Sequence, residues 1–72
     1  MTRQRIIYTA HARQRMEERD ISTHEVEQTV YEYDYSVTSF EGRRIATKKI
    51  GDRTINVVYK AENGNIFIVT VY

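Results

Sequence analysis

Ile21-Ser22-Thr23-His24-Glu25-Val26-Glu27-Gln28-Thr29-Val30-Tyr31-Glu32-Tyr33-Asp34-Tyr35-Ser36-Val37-Thr38 is the stretch on which the fold turns. Its first half is written as a helix and its second half as a strand. Ser22 and Glu25 have the spacing of a capping box, in which each residue satisfies an amide that the helix start leaves open. Ile21, just before the cap, and Val26, four positions into the helix, are spaced as a hydrophobic staple. Val26, Val30 and Tyr33 then recur at i, i+4 and i+7, the spacing of one buried helical face. Near residues 32–34 the helix should fade, because β-forming Tyr, Val and Thr take over.

Towards the C-terminus the pattern is strands and tight turns. Strands are expected at 37–40, 43–50, 54–60 and 66–72, with turns at Glu41-Gly42, Gly51-Asp52 and Asn63-Gly64. Asn-Gly is a strong hairpin signal, since both residues tolerate the positive φ that such a turn needs. Consecutive hairpins make an antiparallel meander. Towards the N-terminus, Ile6, Ile7 and Tyr8 form a brief β-like stretch, a candidate short edge strand. Thr9 is placed to cap a first helix over 10–19. The expected fold is α+β: two N-terminal helices packed on one face of a four-stranded antiparallel sheet.

The chain has 72 residues, which implies a single domain over 1–72. At this size folding buries only roughly 60% of the unfolded surface, so stability is expected to be modest. There is no Cys, which excludes disulfides and thiolate chemistry within the chain. The opening residues carry Arg3 and Arg5 and no apolar run, and the longest apolar stretch, 66–71 apart from Thr70, is far short of the ~20 residues of a membrane helix. A cytoplasmic location with no membrane association is therefore expected. The net charge of +1 conceals a basic, acidic, basic order along the chain: residues 20–41 hold six acids and no Lys or Arg. Such a chain can present one cationic and one anionic face, or simply a solvated surface.

On the first helix His11, Arg15 and Arg19 recur every four residues and form one stripe beside the inward-pointing Ala12 and Met16. Two guanidiniums a turn apart suit capture of phosphate oxygens. His11 stands in the first turn, where the helix dipole and nearby Arg disfavour imidazolium, so a neutral ring able to act as general base is expected. Equally, the stripe could tie the helix to its neighbours, with Arg paired to Glu18 or Asp20. His24 precedes Glu25 but has no His four residues on, so the helical zinc-protease signature is missing and no metal or other cofactor is expected.

The run Tyr8-Thr9-Ala10-His11-Ala12-Arg13-Gln14-Arg15-Met16-Glu17-Glu18-Arg19-Asp20-Ile21-Ser22 resembles the opening of a prokaryotic group of small uncharacterised domains related to BrnT and, more distantly, to the RelE/ParE toxins. Residues 55–59 and 66–72 resemble the final hairpin of that group. The resemblance implies a RelE-like fold and a metal-independent endoribonuclease or toxin-like module acting on RNA, free or ribosome-associated. It carries over His11, Arg15 and Arg19. Such enzymes place further Arg, Lys and Tyr side chains from their strands and C-terminus around the scissile phosphate, and the matching positions here would be Arg44, Lys48, Tyr59 or Tyr72.

Cleavage of RNA without a metal needs a base for the 2′-hydroxyl, cations for the pentavalent transition state and an acid for the leaving oxygen. His11, Arg15, Arg19 and Tyr59 would meet that list, with Arg44, Lys48 and Tyr72 holding RNA. The alternative is a non-catalytic domain that binds an antitoxin, an acidic protein or nucleic acid through the same stripe. The last strand is apolar on both faces, which calls for cover on both. With Phe67, Val69 and Val71 turned to the helices, Ile66, Ile68 and Tyr72 would face a partner: a second copy in a homodimer, or an antitoxin.

Overall fold

The computed structural model describes residues 4–72. In chain order the elements are β1 (Arg5–Tyr8), α1 (Ala10–Arg19), α2 (Thr23–Tyr31), β2 (Tyr35–Thr38), a 3₁₀ turn (Phe40–Gly42), β3 (Arg44–Ile50), β4 (Arg53–Glu62) and β5 (Asn65–Val71). The strands form one mixed sheet in the order β1-β5-β4-β3-β2. β2 to β5 are antiparallel neighbours, and β1 lies parallel to β5 at the edge. The fold is thus α+β, with α1 packed on β5 and α2 on β3 and β4. No helix among the described residues is long and apolar enough to cross a membrane.

Both helices begin as their sequences dictate. The Thr9 hydroxyl accepts from the Ala12 amide at 3.1 Å, and Ser22 and Glu25 form both halves of the capping box. α1 ends on Asp20 in the left-handed region at φ 54, and its amide returns to carbonyls of the last turn. A short polar side chain makes that conformation tolerable without glycine. The β4–β5 turn places Asn63 at φ 52 and Gly64 at φ 77, the two positive values that the Asn-Gly pair implies. The core between the helices and the sheet is built from Ala12, Met16, Ile21, Val26 and Val30 above, and Ala46, Ile55, Val57, Tyr59, Ile66, Ile68 and Val71 below.

Three expectations are corrected. The sheet has five strands rather than four, because the stretch at 6–8 pairs in parallel with the distant β5, Ile7 beside Phe67 and Tyr8 beside Ile68. Tyr33 does not extend the buried face of α2: the helix stops at Tyr31, and Tyr33 is 44% exposed while Val26 and Val30 are buried. The largest correction concerns the facing of β5. Ile66 and Ile68 point to the helices and are 3% and 0% exposed, so they are core rather than interface, whereas Phe67 and Val69 face away. Tyr72 remains 47% exposed.

The reason is a bulge. Tyr59 pairs with Ile68 but Val58 pairs with Thr70, which leaves Val69 as an extra residue on β5. Because strand side chains alternate, one inserted residue reverses the parity, so Ile66 and Ile68 before it and Val71 after it all reach the same core. Thr9 anchors the bulge from the side. Its hydroxyl lies 2.9 Å from the Ile68 carbonyl and 3.1 Å from that of Val69, and its amide donates to Ile68.

Candidate functional site

The residues singled out in the sequence are divided among several places. His11 is exposed in the first turn of α1, and Arg19 is exposed at its end. Arg15 is half-buried and forms an ion pair with Glu18 at 3.7 Å, one of the structural pairings that the stripe allowed. Arg19 and Tyr72 share a shallow depression of about 120 Å³ with Ile21, Arg53, Thr54 and Ile55.

Lys48 belongs to the scaffold. Its ammonium donates to the carbonyl of Glu32 at 2.9 Å, at the C-terminus of α2, and pairs with Asp34 at 3.7 Å. A cation there satisfies a carbonyl left open by the helix end and suits its dipole. The Asp34 carboxylate in turn accepts from the Lys49 amide at 2.9 Å.

Arg44 and Tyr59 are brought together. They are register partners across β3 and β4, and both line a depression of about 210 Å³ with Gln4, Val30, Tyr31, Ala61 and Ile66. The β3–β4 pairing puts both side chains on the helix side, just beyond the end of α2, where no helix covers Arg44. Burial pushes the Tyr59 phenol above its ordinary range, while the Arg44 guanidinium beside it draws it back and nearby Tyr33 adds to the rise. The Tyr31 hydroxyl donates to the Gln4 carbonyl at 3.4 Å and holds one wall of the depression. A protonated phenol beside a cation, among further tyrosine rings, can bind a phosphate oxygen and a base face, and the phenol can donate a proton.

Reading the sequence overlooked Tyr31, Tyr33 and Arg53. The alternation of Tyr31, Tyr33 and Tyr35 around Glu32 and Asp34 was the available signal for the tyrosines, but it reads equally as the end of a helix. Arg53 connects distant parts of the chain: its guanidinium donates to the carbonyls of Arg19 at 3.0 Å and Asp20 at 2.9 Å, and to both oxygens of Glu25 at 3.1 Å.

A second tyrosine is also perturbed. Tyr8 donates to Glu27 at 3.3 Å, and its phenol is pushed up to about 12 by burial first and then by the Glu27 carboxylate. The Arg13 guanidinium lies 5.9 Å from its ring centre and acts in the opposite sense. Among the described residues no group of three or more His, Asp or Glu side chains is placed to hold a metal ion.

Comparison with known proteins adds a family and no activity. No curated protein and no solved structure matches the chain. Residues 8–72, from Tyr8 at the end of β1 through to the C-terminus, match the family model described as a domain of unknown function, DUF4258, and the chain belongs to that family.

Proposed function

We propose that this domain is a toxin-like module that acts on RNA in the cytoplasm and holds a single strand at the Arg44–Tyr59 depression. One observation carries this reading: the Arg44 guanidinium lies beside the buried Tyr59 phenol in an open depression walled by Tyr31. A guanidinium fork suits phosphate oxygens, and exposed aromatic rings suit unpaired bases of any sequence. Of the cations of β3 and β4, Lys60 stands at the same end of the hairpin on the opposite face, whereas Lys48, Lys49 and Arg53 stand at its turn.

Binding is the part of the reading that the geometry favours. Metal-independent cleavage is a second reading, favoured by Tyr59 as a proton donor beside a cation. The base it needs would be His11, which lies on α1 outside the depression. RNA lying across both would have to pass over the β5–α1 boundary.

The experiment is binding of a labelled single-stranded RNA of about ten nucleotides over a range of salt, a length within the usual range for such sites. Neutralisation of about four phosphates gives a log–log slope near −3, and Arg44→Ala should flatten it by ~0.7. Absence of binding at low salt, or an unchanged slope in Arg44→Ala, rejects the site. Cleavage is tested alongside, with and without ribosomes. It should survive chelator, yield 2′,3′-cyclic phosphate ends and fall ~10²-fold in His11→Gln if His11 is the base.

A further inference from the structure

The strand register builds the helix-free face of the sheet in rows. Ile7, Phe67 and Lys60 stand side by side across β1, β5 and β4. Thr70, Val58, Ile45 and Val37 form the next row, from β5 to β2. Asn56, Thr47 and Tyr35 form a third, in which the Thr47 hydroxyl donates to Asn56 Oδ1 at 2.7 Å. Thr54 and Lys49 form the last.

An apolar band therefore runs from one sheet edge to the other, through Ile7, Phe67, Val58, Ile45 and Val37, and Val37 at its end is 54% exposed. Strand alternation places Arg5, Lys60 and Lys49 on the same face, Arg5 and Lys60 to one side of the band and Lys49 beyond the Asn56–Thr47 row on the other, against one acid among the described strands, Glu62, which pairs with Lys60 at 3.5 Å. A band of this kind is larger than scattered surface apolar residues and is flanked by cations.

We propose that this face docks an acidic amphipathic segment of a partner protein, with its apolar side chains on Phe67, Val58 and Ile45 and its carboxylates on Lys49 and Lys60. The charge on the face selects this occupant. A second copy laid face to face would bring the cations of each protomer against those of the other, which charge complementarity disfavours. RNA is a poorer fit because four of the five side chains of the band, Val58, Ile45, Ile7 and Val37, are branched aliphatic groups where stacking needs planar rings, and Phe67 and Tyr35 stand apart in different rows. The proposal goes beyond the RNA reading and is spatially separate from it. Arg44 and Tyr59 lie on the helix side of β3 and β4, while their neighbours Ile45 and Val58 lie on this one.

Two synthetic helical peptides with the same apolar spacing, one carrying Glu and the other Lys at every remaining position, test the proposal against the whole chain by ¹⁵N amide shifts. The Glu peptide should shift amides of β3, β4 and β5 around Ile45, Val58 and Phe67, and the Lys peptide should not bind. Lys49→Glu combined with Lys60→Glu should weaken the Glu peptide by about tenfold or more, as loss of two exposed charge pairs implies. Val37→Ser, at an exposed edge, should weaken it while leaving the fold intact.

Equal binding of the two peptides, shifts confined to the helix side, or no binding of the Glu peptide overturns the proposal. Concentration-dependent self-association that shifts the same amides would assign the face to a second copy, and shifts there on adding single-stranded RNA would assign it to nucleic acid. Either result overturns it. Arg44→Ala should weaken RNA binding and flatten its salt slope while leaving the Glu peptide bound, so failure of one reading is distinguishable from failure of the other.

Discussion

Arg53 and Glu25 are 28 residues apart in sequence, and Arg53 Nη2 lies 3.1 Å from both carboxylate oxygens of Glu25. Glu25 also accepts the Ser22 amide at 2.9 Å, and Arg53 holds the carbonyls that end α1. One ion pair thus closes the end of the first helix, the start of the second and the first residue of β4. Arg53→Ala should destabilise the domain by about 2 kcal/mol in urea unfolding, within the range for hydrogen bonds to charged groups at a partly exposed site. The Glu25 carboxyl is held below its ordinary range by the Ser22 amide first; burial opposes it next, and Arg53 and the Ser22 hydroxyl add smaller lowering effects. A depressed carboxyl contributes stability above its unfolded value of about 4.3 and loses it as pH falls through the lower folded value. Wild type should therefore weaken below pH ~4 more steeply than Glu25→Gln.

Phe67 and Ile68 separate the two faces of β5. Ile68→Ala should cost about 3 kcal/mol or more, since it opens a cavity under the helices. Phe67→Lys, on the open face beside Lys60, should cost about 1 kcal/mol and leave the domain folded. Thermal melts of the two variants decide between the bulged register and a regular one, in which their severity would be reversed.

Thr9 serves the helix and the bulge with one side chain. Thr9→Val preserves its shape but removes the acceptor for Ala12 and the donor to the Ile68 and Val69 carbonyls. A loss of about 2 kcal/mol is expected, where a lost helix cap alone costs ~1. Thr9→Ser retains both bonds and should stay within ~0.5 kcal/mol of wild type in the same denaturant titration.

Tyrosinate absorbance should resolve Tyr8 from most of the six tyrosines. With its phenol pushed up to about 12, Tyr8 ionises late, and Tyr8→Phe should remove that last step. A raised phenol stabilises the fold below the unfolded value of about 10 and loses that contribution as pH climbs towards the folded one. Alkaline unfolding of wild type between pH ~10 and 12 should accordingly be steeper than that of Tyr8→Phe.

The elements that depend on near neighbours could be read from the chain. Thr9 and Ser22 each find their partner amide three residues away, and Asn63-Gly64 makes its turn from its own backbone preferences. The facing of β5 was hidden because Ile66, Phe67, Ile68, Val69 and Val71 are apolar on both sides, so pattern alone could not reveal an extra residue. The parallel pairing of β1 was hidden for another reason: Ile7 meets Phe67, and short apolar segments carry no record of so distant a neighbour. The site followed the same rule. The helical spacing of His11, Arg15 and Arg19 was visible, but the pairing of Arg44 with Tyr59 depends on the hairpin register, and the bonds from Arg53 to the helix junction depend on the packed whole.

The parallel contact of β1 with β5 makes the domain a clasp fastened by the first and last strands of the chain. Everything between them, both helices and three strands, is enclosed by a pairing that cannot form until residues 65–71 are present. Those residues also bring Ile66, Ile68 and Val71, the floor on which α1 rests. A chain interrupted before Asn65 is therefore left as an open loop, with its helices resting on an unfinished surface, rather than as a slightly weakened version of the same molecule. The long sequence separation of that fastening makes it a late and costly step, so the domain should fold as a single event or not at all.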